Sequence, residues 1–289
     1  MKTRKYNITK NYKSIYHYLK DNQFAENYIT NLRKVFGYIK INDKPTNINA
    51  SLKAGDILEV NSDPSPKSSI MQCIIPLDIV YEDEYYLLIN KPAGLPCMPS
   101  RSHYNYNLAG AICHYMDTKD PDFTLRIINR LDKDTAGIII VAKDSIAQKD
   151  LKEIKKQYYA ICEGCISSQT IIDKNIKTIN ENGRNDLQRV IAEDGKPATT
   201  YVYPIKFNKY YSLIKLELVH GRTHQIRLHL SSINRPLLGD NIYGSLSTLI
   251  KHTALICKNV SFFHPYLDNV LSFEIPFPND FKDCLTKLF

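Results

Sequence analysis

Two apolar runs separated by a polar turn, Ile127-Ile-Asn-Arg-Leu-Asp132 and Gly137-Ile-Ile-Ile-Val-Ala142, constrain this chain more than any other stretch. Short runs rich in β-branched residues and bounded by a glycine-containing turn read as paired strands, here over 125–131 and 137–142. The pairing anchors Arg130 and Asp132 at the core and leaves them at a strand end. Alternation along a strand puts Arg130 and Asp132 on one face and Leu131 on the other. A carboxylate beside a cation stays ionised, which suits a nucleophile or base at neutral pH. The competing assignment is a solvated surface turn, the usual fate of an isolated Arg-x-Asp.

The second polar cluster is Gly221-Arg-Thr-His-Gln-Ile-Arg-Leu-His-Leu230. Thr223 reads as the cap of a helix running to about Ile233, with Ile226, Leu230 and Ile233 inward and free backbone N–H groups available to an anion. His224 and Arg227 are three apart on that helix, and Arg227 borders its apolar face. An arginine there pairs with a carboxylate. Nothing in the spacing says whether that carboxylate is Asp132, and a salt bridge at the helix rim is the plainer alternative.

The flanking segments read as an α+β architecture built on a mixed, mostly antiparallel sheet. Leu77 to Tyr81 and Tyr85 to Asn90 form a hairpin around Glu82-Asp-Glu84. Thr199 to Phe207 and Ser212 to Val219 form another, and Tyr158 to Cys162 is a further strand. Asp144 or Ser145 caps a helix expected to run to about Gln157, with Ile146, Leu151 and Ile154 inside and Lys149, Lys152, Lys155 and Lys156 outside. Ahead of this lies a small unit over 1–62, with two short helices around Ile15 and Leu19 and around Ile29 and Leu32, then strands at 38–41 and 52–60. Residues 63–74 read as a linker, because Asp63-Pro-Ser-Pro-Lys-Ser-Ser69 holds two prolines and no apolar side chain. The main domain then spans 75–289.

Composition narrows the partners. Hydrophobic residues make up 43% of the 289, enough for an ordinary buried core. Lys and Arg exceed Asp and Glu by 38 to 30, a surplus that favours polyanions such as RNA. Seven cysteines, irregularly placed, argue for reduced thiols in a cytosol. The run Ile138 to Ala142 is far too short to cross a bilayer, and no apolar segment follows the basic opening residues, so a cytoplasmic location without membrane contact is expected.

At this point five motifs, in order, resemble the RluA-type pseudouridine synthase family. They are Tyr81-Glu-Asp-Glu with Asn90-Lys-Pro-Ala-Gly94, Asn129-Arg-Leu-Asp-Lys-Asp-Thr-Ala-Gly137, Lys156-Gln-Tyr-Tyr-Ala160 to Gly164, residues 221–229, and Pro236-Leu-Leu-Gly-Asp240-Asn-Ile-Tyr-Gly244. Asn129 stands where the family has histidine, Ala136 where serine is common, and Cys97-Met-Pro99 where His-Pro is common. The 1–62 unit is similar to the alpha-L RNA-binding domain of a ribosomal protein through Gly37-Tyr-Ile-Lys-Ile-Asn-Asp-Lys44 and Lys53-Ala-Gly-Asp56.

The resemblance implies a pseudouridine synthase-type sheet with flanking helices, and isomerisation of uridines in RNA, most of all large-subunit ribosomal RNA, by a monomer with neither metal nor other cofactor. It implies that Asp132 is the essential carboxylate, that Arg227 pairs with it, and that Tyr158 stacks on the target base, with the ring proton a second candidate task. Arg130 resembles the residue that fills the stack a flipped base leaves. Leu131, Arg222, Thr223, His224, Gln225, Ile226, Lys91 and Pro92 are implied in substrate or RNA contact. The alternatives are transfer RNA as substrate, or an RNA-binding assembly factor whose catalysis is dispensable. A glycosidase using Asp132 and Asp134 fails because both project from one segment instead of flanking a bond. A metal site from Cys162, Cys165, His220, His224 and His229 lacks a second paired-cysteine motif.

Overall fold

The computed structural model describes residues 3–62, 69–120, 123–180 and 188–289. The N-terminal unit comprises β1 (Thr3–Asn7), α1 (Ile15–Asp21), α2 (Glu26–Leu32), β2 (Ile39–Ile41), β3 (Lys44–Pro45) and β4 (Ile57–Asn61). Its sheet runs β1-β4-β2-β3, with β4 antiparallel to both β1 and β2. The Ser14 hydroxyl caps α1 by accepting from the His17 amide. Ile15, Leu19, Ile29 and Leu32 then close over Leu58 and Val60. Both helices form where the apolar spacing puts them.

The main domain contains β5 (Ile79–Glu82), β6 (Tyr86–Lys91), α3 (Leu108–Asp117), β7 (Ala136–Ala142), α4 (Ser145–Asp150), β8 (Lys152–Glu163), β9 (Thr170–Asp173), β10 (Ile176–Ile179) and β11 (Gln188–Ile191). It continues with β12 (Thr199–Phe207), β13 (Tyr211–Leu218), α5 (Gln225–Ser231), β14 (Leu255–His264), β15 (Asn269–Glu274) and α6 (Asn279–Leu288). Among the described residues the main sheet is ordered β5-β6-β7-β14-β8-β13-β12-β9, with β15 added along β14. Pairing is antiparallel throughout except between β7 and β14. The mixed, mostly antiparallel α+β architecture expected from the sequence is thus the observed one.

Strands β6 and β7 are central. Their runs Leu87-Leu-Ile89 and Ile138-Ile-Ile-Val141 are buried on both faces, which accounts for apolar stretches that do not alternate. The Glu82-Asp-Glu84 turn between β5 and β6 is tied down by charge. Glu82 accepts from Lys143 and Lys119 at 2.8 and 2.9 Å. Asp83 accepts from the Tyr85 and Tyr86 amides and sits 2.8 Å from the His264 ring.

Two elements differ from expectation. The helix after Asp144 stops at Asp150, and Lys152 to Gln157 belong instead to β8, paired with β14. Glu153 takes the left-handed region (φ 55°) at this changeover. Tertiary pairing overrides a spacing compatible with a helix, because Ile154 is as good a strand residue as a helical one. The other is 125–131, which makes only an isolated bridge, Ile127 with Val141. There the Asn129 side chain stands in for ladder partners, donating to the Ile138 carbonyl and accepting from the Ile140 amide.

The expected linker lies partly outside the described residues (63–68). Its remainder is fastened down: Cys73 is buried and its amide donates to the Gly110 carbonyl, an approach that a Cβ at Gly110 would block at 2.5 Å. Helix α4 joins the two units. The Asp144 carboxylate caps it through the Ile146 and Ala147 amides and also accepts from Arg4 at 2.8 Å. Ile146 packs in the N-terminal core and Ala147 in the main one.

Burial alone would push the Glu82 carboxyl up, but hydrogen bonds from Lys119, Lys143 and Tyr115 outweigh it and hold the group at about 2. The folded value lies below the unfolded one of roughly 4.3, so the stabilisation is fully present above that pH and is lost as pH falls toward 2. Urea unfolding between pH 5 and pH 2 is expected to show a steeper loss of stability in the wild type than in Glu82→Gln. Parallel curves would show that Glu82 contributes nothing.

Candidate active site

Asp132 follows directly on the segment that Asn129 pins to β7, and a tight turn holds it there, the Thr135 amide donating to the Asp132 carbonyl at 3.2 Å. The turn leads into Gly137, at φ 129°, where a Cβ would lie 2.4 Å from the Cys257 carbonyl oxygen. Only glycine lets β7 begin against the backbone of β14 at this point. Leu131 is buried, Arg130 exposed and the Asp132 side chain a quarter exposed, so the expected alternation of faces holds although the segment is not a strand.

Helix α5 delivers the facing cation. Arg227 is 4% exposed, and its guanidinium grips Asp240 with two bonds, Nε to Oδ2 at 2.7 Å and Nη2 to Oδ1 at 2.8 Å. Its remaining Nη1 lies 3.5 Å from Asp132 Oδ2. In the sequence Asp240 stands within the 236–244 motif with no task of its own. Its side chain is fully buried and is the principal partner of Arg227. The signal available was chemical: a buried arginine with one exposed carboxylate needs a second, buried one. Together the two bonds leave a single N–H edge of Arg227 facing Asp132.

The helix is not capped by Thr223, which is exposed. Its first flanking residue is His224, in the left-handed region (φ 57°, ψ 17°), with no side-chain cap. A non-glycine residue held there is strained, and the surroundings hold it. Gln225 accepts from the Arg222 amide and donates to the Thr199 carbonyl and Thr200 hydroxyl, which ties the turn to β12. His224 Nδ1 lies 2.9 Å from the Tyr243 hydroxyl and Nε2 lies 3.9 Å from Asp132 Oδ1. Burial lowers its pKa, with Arg227 and Arg189 adding to the effect against the opposing pull of Asp132.

These groups surround a cavity of about 580 Å³, within the range of small-molecule sites. Asp132, Arg227, Tyr158, Arg130, Leu131, Arg222, Thr223, His224, Gln225 and Ile226 all line it. So do Lys156, expected on the outer face of a helix and found on β8, and Arg189. Tyr158, from β8, is buried, and burial pushes its phenol well above 10, so it offers an uncharged ring face and a hydroxyl instead of a ready base. Two expected contacts lie elsewhere. Lys91 is fully buried, its ammonium donating to the Pro92, Leu95 and Lys133 carbonyls, and burial lowers its pKa to about 8. Pro92 is exposed outside the cavity lining.

The histidines of the metal alternative do not converge. His229 is held between the Thr200 hydroxyl and the Lys174 carbonyl, and His224 is engaged by Tyr243. Among the described residues no group of three His, Cys, Asp or Glu is placed to hold an ion.

The two carboxylates facing Arg227 differ in burial, and their substitution separates them. Asp240→Asn is expected to lower unfolding free energy by roughly 3 kcal/mol, because it strands a buried guanidinium. Asp132→Asn is expected to change it by less than about 1 kcal/mol. Urea denaturation of both variants measures the contrast, and equal losses would show that Asp240 is no anchor.

A family model described as RNA pseudouridylate synthase matches residues 85–232. The chain is 34% identical to the uncharacterized RNA pseudouridine synthase YhcT of Bacillus subtilis, over 87% of this chain and 85% of that protein. It is 30% identical to ribosomal large subunit pseudouridine synthase D of Escherichia coli K12, over 85% of this chain and 80% of that protein. The solved structure of human RNA pseudouridylate synthase domain containing 4 superposes with a TM-score of 0.58 at 21% identity, covering 73% of this chain and 92% of that one. That likeness bears on the fold.

Proposed function

The chain belongs to the RNA pseudouridylate synthase family and is an RNA pseudouridine synthase; we propose that it acts on large-subunit ribosomal RNA and that Asp132 is the carboxylate on which the reaction turns. The observation that carries this reading is the pairing of Asp132 with one free edge of Arg227, itself immobilised by Asp240, at the wall of a cavity that also holds Tyr158.

The isomerisation breaks the N1–C1′ glycosidic bond of uridine, turns the ring, and forms a C5–C1′ bond as the C5 proton leaves and N1 regains one. Composition is unchanged. Asp132 is accessible yet fixed in position, as attack on the nucleoside or removal of a proton requires. Tyr158 presents a ring for stacking, an interaction contributing about 1–3 kcal/mol per base. A target uridine in structured RNA is first flipped out, and exposed Arg130 at the cavity edge is placed to fill the vacated stack. Arg222, Lys156 and Arg189 add positive charge for the flanking phosphates.

The ribosomal substrate is supported by the similarity to large-subunit synthases. We extend the reading to the N-terminal unit as an RNA-binding module. On it Arg33 and Lys34 are exposed beside Phe36, itself 84% exposed, a combination of charge and stacking surface suited to RNA. No helix among the described residues is long and apolar enough to cross a membrane, and a cytoplasmic site of action fits a ribosomal substrate.

Tritium release from RNA labelled at uracil C5 tests the reading. Wild type is expected to release label from large-subunit ribosomal RNA and not from transfer RNA. Asp132→Asn is expected to slow release by more than about 10²-fold. Release from transfer RNA alone would overturn the substrate assignment, and undiminished release by Asp132→Asn would overturn the role of the carboxylate.

A further inference from the structure

Cys97 lies in the loop between β6 and α3 and is buried, 6% exposed. The sulfur makes two bonds to a single residue: it donates to the Leu131 carbonyl at 3.1 Å and accepts from the Leu131 amide at 3.4 Å. Leu131 immediately precedes Asp132 and is not part of a strand, so its backbone groups depend on a side chain for partners. Burial raises the thiol pKa, which keeps on the sulfur the proton it donates.

The residue on the other side of Asp132 is held from the same loop. The Lys133 carbonyl accepts from the Gly94 amide at 2.9 Å and from the buried Lys91 ammonium at 3.0 Å. The loop itself is anchored at both ends. Lys91 closes β6, while the Pro96 and Cys97 carbonyls accept from the Leu108 and Ala109 amides at the start of α3. Asp132 is therefore suspended between two fastened neighbours, with no bond to its own amide needed to fix its height above the cavity.

We propose that Cys97 is a positioning residue, which with Lys91 clamps the backbone on either side of Asp132 and sets the distance from its carboxylate to the reacting nucleoside. This rests on the reading of Asp132 as the reactive carboxylate. Thiol hydrogen bonds are weak singly, but two to one residue hold the peptide planes on both sides of the Leu131 Cα, the second of which leads into Asp132. The clamp acts on geometry, and small misplacements of a reacting group lower rate more than binding.

The test compares full-length wild type, Cys97→Ala and Cys97→Ser in two measurements. One is steady-state tritium release from C5-labelled large-subunit ribosomal RNA. The other is hydrogen exchange of the 131–135 amides without RNA. Cys97→Ala, which removes both bonds, is expected to lower kcat roughly tenfold or more with little change in KM, and to speed exchange across 131–135. Cys97→Ser, whose hydroxyl can donate and accept, is expected to stay within about threefold of wild-type kcat and to restore protection. Wild-type kcat and protection in Cys97→Ala would overturn the clamp. An equal fall in Cys97→Ser would also overturn it, since sulfur packing alone would then explain the effect. If wild type releases no label, the substrate reading fails, whereas the exchange measurement still decides whether Cys97 holds the loop.

Discussion

The buried bidentate pair of Arg227 and Asp240 is the interaction on which the rest of the site depends. A guanidinium removed from water is unfavourable unless its donors are met, and Asp240 meets two of them with charge-assisted bonds. This orientation leaves one edge of the arginine for Asp132, at 3.5 Å. An arginine free to rotate could neutralise Asp132 equally well but could not hold it in one place. Because Asp240 takes the strong geometry, Asp132 keeps a looser contact and a quarter of its side chain stays open.

The fold serves that geometry by bringing together four segments, of which those of Arg227 and Asp240 are 13 residues apart. Strand β7 fixes the Asp132 turn against β14, α5 carries Arg227, the turn after α5 carries Asp240, and β8 carries Tyr158. The strained left-handed His224 marks where α5 is forced to start, and Gln225 ties that start to β12. At His224 backbone strain meets the cavity wall, and side-chain-to-backbone bonds hold the turn beside it. The loop 91–97 belongs to the same pattern, since Lys91 and Cys97 bond to the backbone flanking Asp132 and not to one another.

Much of this was legible in the linear chain. The runs flanking Asp132, the hairpins at 77–90 and 199–219 and the N-terminal helices follow from apolar spacing, because burial on one face or two leaves a periodic trace. Of the motif residues expected at the site, all but Lys91 and Pro92 line the cavity. Where expectation and structure part, pairing and packing decide what the local pattern leaves open. Residues 152–157 carry a pattern that suits a helix or a strand, and β14 decides for the strand. Lys91 looks like an RNA-facing cation, but the chain folds three carbonyls around it. Gln225 lines the cavity as expected, and its amide is bonded to the turn and to β12.

The sequence by itself determined the α+β class, the turn that carries Asp132, the apolar run that carries Tyr158, the polar entry to α5 and the family, because each is written in short-range order: periodicity, turn residues and motif spacing. Tertiary structure alone decided which carboxylate anchors Arg227, which cations face the cavity and which are buried for support, and how the thiol of Cys97 comes to bond the residue before Asp132. These are distances between groups remote along the chain, and no local pattern encodes a distance across a sheet.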